Sequence, residues 1–472
     1  MVKLHKCLAI VFAAVLVGGA FAADGVVVDF REDVGPVKPV NGVGQPPMIG
    51  ALSSWSMMHY LKDAGIPYSR LHDVGGWLGG GLYVDIPNIF PDFDADETNP
   101  KNYRFAYTDS LINALVANGV EPYFRLGVTI ENFAGAPGHP PLRIMPPKDF
   151  AKWARICEHV IRHYTEGWAD GYRHCISHWE IWNEPENYET FAKNQMWKAP
   201  FSESERLYDV ASRHLKAKFP LLKIGGYASC GFYCAGSSWA KDEPVRVEFL
   251  RDCFTNFLDC ARSGKMPLDF FSFHFYDRPE FLARQMAYCR RTLDEYGFAK
   301  TEMSLNEWHP GGSIRALGTA AQAADVAAIL AILQNGPVAD AEIYDARCSV
   351  GVYSPLFNCL TCKPHKAYCA FLAFNELRKL GQAVKTTDAE RPGLWACAAK
   401  GADGKSGAVF AANTTASAMP LPKVLGAAKA VRSRAIDADH DFADVELSDT
   451  IGPKTALLIE YELSGDGREH TR

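Results

Sequence analysis

The sequence has no surplus of positive charge. Its 49 lysines and arginines are outnumbered by 55 aspartates and glutamates, a net charge of −6. No basic patch stands out along the chain. A nucleic-acid partner is therefore not expected, because phosphate binding rests on clustered cations. No G-x-G-x-x-G or P-loop pattern follows an early strand-like run, so the usual mark of a nucleotide fold is missing. Metal signatures are equally thin. Cys359-x-x-Cys362 has no second pair at zinc spacing. The acids Asp92, Asp94, Asp96 and Glu97 run on to neither the glycine nor the distant glutamate of a calcium loop, so a solvated loop is expected. No cofactor is implied. Long apolar runs are lacking too, with one exception.

That exception is the opening, "MVKLHKCLAIVFAAVLVGGAFAADG". Lys3 and Lys6 precede an apolar stretch at 8–17, and Ala20-Phe21-Ala22 supplies an A-x-A cleavage site, so residues 1–22 read as a secretory signal peptide. The run is too short for a comfortable span, and Cys7 lies ahead of it, where a lipoprotein cysteine would not be. No stable membrane anchor is expected. Cleavage removes two lysines and no acid. It also removes one of 13 cysteines, leaving an even number that suits an oxidising compartment. A secreted or periplasmic location is expected, with Cys230 and Cys234, or Cys359 and Cys362, as candidate local disulfides.

At 472 residues with 48% apolar and 22% charged residues, the chain has material for a large domain and a small one. Short apolar runs alternate with amphipathic stretches, the pattern of βα units. Strands are predicted at 40–44, 67–72, 121–127, 177–184, 223–229, 269–276, 302–307 and 341–346. Helices are predicted at 148–164, 319–334 and 363–380. Eight strand-then-helix units make a (β/α)8 TIM barrel over 40–382 the economical α/β fold. Long excursions at 74–103 and 130–147, after strands 2 and 3, belong at its C-terminal face. Beyond it, "GLWACAAK", "SGAVFAANTT" and "TALLIEYEL" read as strands of a small β-sandwich accessory domain over 383–465. "VVVDF" within segment 23–39 is a candidate to add a strand to it. Residues 466–472 form a polar tail.

Catalytic groups of such barrels sit at the C-terminal strand ends. Two predicted strands finish in the same dipeptide: Asn183-Glu184 on the fourth and Asn306-Glu307 on the seventh. These strands face each other across the mouth, so their carboxylates can flank one scissile bond. Acetal hydrolysis needs that arrangement: one acid to protonate the leaving oxygen, and one carboxylate to attack or to activate water. A glutamate at a strand end can also simply pair with an arginine, but two such dipeptides at opposing strands favour chemistry. Period-two alternation puts Arg70 with His72, and His274 with Tyr276, on shared faces of their strands. A nearby arginine and a hydroxyl would keep one carboxyl ionised. A drier aromatic surround and the negative charge opposite would raise the other.

"IWNEPEN" followed by "SLNEWHP" resembles the retaining glycoside hydrolases of clan A. The chain is most similar to glycoside hydrolase family 39, the β-xylosidase and α-L-iduronidase group. "YSRLHD", "FAYTDSLINALVANGVEPYFRLG", "IGGYAS", "LDFFSFHFY" and "KPHKAYCAF" match that family's pattern across most of 40–380. The resemblance implies Glu184 as general acid/base and Glu307 as nucleophile. It implies Asn183 on the sugar 2-hydroxyl, one of Arg70 and His72 beside the nucleophile and the other on sugar hydroxyls, and His274 and Tyr276 both in the mouth as substrate-site residues, with Tyr276 against Glu307. Trp182 and Trp308 read either as a sugar-stacking platform or as core. Trp77 in "GGWLGGG" reads as a substrate contact, because a loop tryptophan lacks an obvious core role. Asp345 either binds hydroxyls or satisfies Arg347. The sequence departs from the pattern at "IYDARCSVGVY" after strand 8, at His309 and at Tyr227, three places expected to shape the innermost pocket.

The expected function is a secreted retaining hydrolase of β-glycosides in plant or host oligosaccharides, β-xylosidase-like. Galactoside, glucoside, arabinoside and uronide are alternative glycones. A catalytically silent carbohydrate-binding barrel is the alternative from another class.

Overall fold

The computed structural model describes residues 25–47, 57–74, 83–131, 143–349, 351–387 and 390–464. The signal-peptide reading, Trp77 and the polar tail lie outside these residues. Eight parallel strands close a barrel in sequential order: β2 (Gly42–Gly44), β3 (Tyr68–Leu71), β4 (Glu121–Leu126), β5 (His178–Ile181), β6 (Lys223–Ser229), β7 (Phe270–Tyr276), β8 (Glu302–His309) and β9 (Asp340–Tyr344). Each overlaps one predicted strand. Closure runs through Gly42 opposite Glu342 and Val43 opposite Ile343. Gly42 has to be glycine, because a Cβ there would meet Ala341 O at 2.8 Å and Glu342 Oε1 at 2.9 Å.

Helices wrap the barrel: α1 (His59–Asp63), α2 (Ile86–Ile89), α3 (Ala106–Ala117), α4 (Phe150–Thr165), α5 (Phe201–Lys218), α6 (Pro244–Gly264), α7 (Leu282–Glu295), α8 (Ala320–Asn335) and α9 (Lys366–Leu380). In α4, Asp149 caps the first turn by accepting from the backbone N–H groups of Ala151 and Lys152. Its buried stripe of Trp153, Ile156, Cys157, Val160, Ile161 and Tyr164 recurs at helical spacing, which is why the sequence reads as a helix there. Each such side chain taken from water stabilises the fold by about 1.5–3 kcal/mol. Helix α8 is buried almost all round, because it lies between the barrel and a second sheet.

That sheet is built from β1 (Val27–Pro36), β10 (Gly381–Thr387), β11 (Glu390–Arg391), β12 (Leu394–Gly401), β13 (Ser406–Asn413), β15 (Lys423–Leu425), β16 (Ala427–Ile436), β17 (Asp441–Asp444) and β19 (Thr455–Leu463), and a short pair, β14 (Met419–Pro420) with β18 (Thr450–Ile451), stands beside it. β1 pairs antiparallel with β10 and parallel with β15. Alternation along β12 serves two cores. Trp395, Cys397 and Ala399 face the barrel side, where Phe374 of α9 meets Phe410. Leu394, Ala396 and Ala398 join Val28, Phe30, Val409 and Ile459 in a second core, closed by Ile451 and Met419. The architecture is the expected one, a TIM barrel followed by an antiparallel sheet domain.

Asp94 pairs with Lys148, and Glu97 with Arg155 and Lys152, so these loop acids are matched by cations. Neither expected local disulfide is present: the cysteines at 230, 234, 359 and 362 are all free. The Sγ that approaches Cys362, at 3.9 Å, is that of Cys348. Among the described residues, no helix is long and apolar enough to cross a membrane.

Candidate active site

Glu184 and Glu307 meet at the C-terminal mouth of the barrel. Carboxylate oxygens of the two and a ring nitrogen of His274 all lie within 4.8 Å of one another. β5 ends at Ile181, before the catalytic dipeptide. The chain then bends through left-handed backbone at Trp182 (φ 68°) and Glu184 (φ 42°), which costs roughly 1–2 kcal/mol at each non-glycine residue. Hydrogen bonds hold the bend: Trp182 N–H to Leu126 O at 2.8 Å, Glu184 N–H to Ala228 O at 3.1 Å, and the Trp182 indole to Met196 O at 3.0 Å. Strain of this kind is kept where it aims a functional group.

A bulge does the same work on β8. Ser272 lies opposite Ser304 but His274 lies opposite Glu307, so β8 carries one extra residue there. Asn306 and Glu307 consequently both face inward. Trp308, which strict alternation would place in the mouth, turns outward, fully buried and stacked on Phe371 of α9. Trp182 is likewise buried against Trp197 and Trp153. Neither tryptophan offers a sugar platform, and the expected role of Trp308 is corrected to core packing.

Glu307 is held from two sides. Arg70 Nη1 donates to Oε1 at 2.7 Å, and the Tyr276 hydroxyl donates to Oε2 at 2.6 Å. Of the two, Arg70 on β3, rather than His72 just beyond it, is thus the side chain on this carboxylate. Arg70 also bonds Glu180 (Nε to Oε2, 2.8 Å) and Asn183 (Nη2 to Oδ1, 2.6 Å). Burial works against its charge, but the carboxylates of Glu180 and Glu307 more than reverse that and raise its pKa. With the carbonyl end of Asn183 taken by Arg70, its amide NH2 is the end left for a ligand hydroxyl.

Glu184 has its own donors. His274 Nδ1 donates to Oε1 at 2.7 Å and lies 3.4 Å from Glu307 Oε2. Asn187 Nδ2 donates to Oε2 at 2.6 Å, and Arg246 bonds the Asn187 carbonyl at 2.6 Å. Burial pushes the Glu184 carboxyl up, but the hydrogen bond and charge of His274, with help from Asn187 and Arg246, bring it down to about 2. Burial depresses His274, and Glu307 and Glu184 together overcome this and raise it. This corrects the expectation of a raised donor. Both shifts run the same way, favouring a proton on the imidazole over one on Glu184 in the free site.

His72 has Nε2 4.0 Å from Glu307 Oε1 and 3.3 Å from Asp73 Oδ1. Burial, with Arg125, Arg70, His274 and Arg347 nearby, holds its pKa well below 6.5, so it is a neutral ring able to donate or accept. Asp345 is fully buried and bonded by Arg347 through both the side chain (2.7 Å) and the backbone N–H (2.9 Å). It satisfies Arg347, and its expected role on substrate hydroxyls is withdrawn. Tyr227 packs among Phe201, Phe257 and Phe271, outside the pocket that it was expected to shape. His309 accepts from Gly311 N–H at 3.1 Å and meets the ring of Tyr353.

Three contributors escaped the sequence reading. Glu180 is fully buried below the mouth and gathers Arg70, Ser272 (2.5 Å) and Asn306. Arg125 lies fully buried on Asp85 at 2.9 Å. Tyr353, 45% exposed, lays its ring edge-to-face against Tyr276 and Tyr344 at the rim. Period-two alternation inward from His178 was the signal that could have found Glu180.

The sequence model for glycosyl hydrolases family 39 matches residues 47–335. A curated β-xylosidase of Geobacillus stearothermophilus is 28% identical over 204 residues, 42% of this chain. This chain thus spans only 35% of that relative's length. Among solved structures, a glucosidase from Croceicoccus marinus superposes with a TM-score of 0.71 at 20% identity, over 94% of this chain and 99% of its own. A monomeric β-xylosidase from Caulobacter crescentus gives 0.64 at 17% identity, over 93% and 100%. At these identities the structural likeness speaks for the fold alone.

Proposed function

The chain belongs to glycosyl hydrolases family 39, and from that premise we propose that it is a secreted β-glycosidase, β-xylosidase-like, acting by double displacement with retention. One observation carries the reading: carboxylate oxygens of Glu184 and Glu307 stand within 4.8 Å of each other, and each carboxylate has its own donors. Retaining enzymes hold their carboxyl groups about 5 Å apart, so that one reaches the anomeric carbon. Inverting enzymes leave roughly 6.5–9.5 Å to fit a water.

In the first step Glu307 attacks the anomeric carbon, the bond to the leaving oxygen breaks, and that oxygen takes the proton held by the Glu184–His274 pair. The proton travels the 2.7 Å bond from Nδ1 to Glu184 as negative charge develops on the leaving oxygen. The Asn183 amide bonds the 2-hydroxyl, a contact that strengthens toward the oxocarbenium-like transition state. Once Glu307 is an ester its charge is gone. Glu184 then takes a proton from water, which displaces Glu307 and yields a product of the starting configuration.

A xyloside glycone is supported by the curated relative named a β-xylosidase. Export is supported by the opening 22 residues. The test is a panel of aryl β-glycosides with the anomer of the first product read by proton NMR. Turnover is expected to be highest on the β-xyloside, with the β-anomer appearing first. Sugar binding without turnover on every member would sink the enzyme reading, and an α-anomer first would exclude retention. Glu184→Gln is expected to lose about 10²–10⁴-fold in kcat on glycosides with poor leaving groups, and much less on a dinitrophenyl glycoside.

The shared proton makes a separate prediction. A His274 raised above its ordinary 6.5 keeps its proton below that raised value and loses it as pH climbs through it. The alkaline limb of kcat/KM is therefore expected above 6.5. His274→Asn leaves the proton to a carboxyl group alone, and the limb is expected to move to lower pH. An unmoved limb would show that another group sets it.

A further inference from the structure

The barrel floor, opposite the catalytic mouth, holds a second cluster. His178, Glu302 and Asp340 begin β5, β8 and β9, and one ligand atom from each lies within 4.8 Å of the others. The protonation of His178 follows from counting donors. Ser177 gives its one hydroxyl proton to Glu121 Oε1 at 2.5 Å, so at 2.8 Å from His178 Nδ1 it can only accept. Nδ1 therefore carries the ring proton and Nε2 a bare lone pair. Nε2 is buried without a hydrogen-bond partner and points at Asp340 Oδ2, 3.8 Å away. A lone pair facing a carboxylate oxygen is an arrangement that a cation between them resolves.

The surroundings fit the same occupant. The ring is clamped by Tyr123, stacked at 5.0 Å, and by the edge of Tyr68. The Ser177–Glu121 relay behind Nδ1 is the kind of outer partner that fixes a metal-binding histidine. Ser304 donates to Asp340 Oδ1, leaving Oδ2 open. Lys223 holds Glu302 Oε2 at 2.6 Å, leaving Oε1. The Glu302 side chain is 40% exposed, which gives an ion a way in from solvent. Two residues beyond Asp340, Glu342 is fully buried with neither oxygen bonded, a further carboxylate that a nearby cation would favour.

We propose that His178 Nε2, Asp340 and Glu302 bind a first-row divalent cation, Zn²⁺ by donor type, that ties together the entrances of β5, β8 and β9. One imidazole and two carboxylates suit a borderline ion better than calcium or magnesium, which take oxygen alone. Ligands about 2.0–2.2 Å from zinc sit some 3.3 Å apart, so the Glu302 side chain has to close inward while the His178–Asp340 pair is nearly set.

The test uses the chelator-treated full chain, ZnCl2, metal content after desalting, and thermal melts. Glu302→Gln removes a ligand at a half-exposed position without opening the core, and circular dichroism checks its fold. Glu307→Ala removes the only other described cluster of this kind, Glu184–His274–Glu307. About one zinc per chain and a Tm rise of about 3 °C are expected for the parent and for Glu307→Ala, with both signals lost in Glu302→Gln. Absence of zinc and of a shift in the parent overturns the proposal. So does zinc that persists in Glu302→Gln and disappears in Glu307→Ala.

Discussion

Glu307→Ala is expected to lower kcat/KM on an aryl β-xyloside by about 10⁵-fold, and azide is expected to restore turnover. The carboxylate attacks the anomeric carbon from the face opposite the leaving group. Alanine leaves a space there that azide can enter, so the carbon–nitrogen bond forms as the aryloxide departs, and the glycosyl azide has the inverted configuration. Glu184 and His274 stay in place to manage the leaving oxygen. Glu184→Ala with azide is expected to give the opposite product, an azide of retained configuration, because Glu307 still forms the ester that azide then opens. Product analysis by NMR separates the two. The same azide configuration from both variants would overturn the division of roles.

Glu180→Ala is expected to be the most damaging change away from the reacting atoms. Its carboxylate anchors Arg70, Ser272 and Asn306 in the dry interior below the mouth. Removing one partner of a buried pair leaves the other charge uncompensated and costs about 3–5 kcal/mol, which calorimetry would record as a lowered Tm. Arg70 also sets Glu307 and Asn183, so its release is expected to misplace both and to cost about 10²-fold in kcat with little change in KM. Glu180→Gln keeps the packing and two of the donors, and is expected to recover more stability than rate. A lowered Tm with unchanged kcat would reduce Glu180 to a packing residue.

The barrel was legible because its strands are short apolar runs closed by turns, and because two of them end in Asn-Glu. The positions of Arg70, His274 and Tyr276 followed from strict alternation on regular strands. Alternation failed where the backbone is irregular. The left-handed bend at Trp182 and the extra residue in β8 each change the phase, so Trp182 and Trp308 left the mouth and Asn183 and Glu307 entered it. Glu180 stayed unread because a mid-strand acid declares nothing until its partners, ninety and more positions away in the sequence, are seen around it. The lowering of Glu184 comes from His274, with help from Asn187 and Arg246, and no spacing in the chain reveals that company.

The pairing of β1 with β10 joins Val27 to Thr387 and, at its far end, Pro36 to Gln382. On the ribosome this strand therefore waits for a partner that lies 360 residues further along the chain. At roughly 5–20 residues per second, that wait is on the order of tens of seconds. During it Val26, Val28 and Phe30, buried in the finished sheet, have no hydrophobic partner. The sheet accordingly closes after the barrel strands have been made, and the barrel forms in a chain whose β1 is still unsheltered. A holdase that covers residues 26–30 during translation is expected to raise the yield of folded chain more than one that binds any barrel strand.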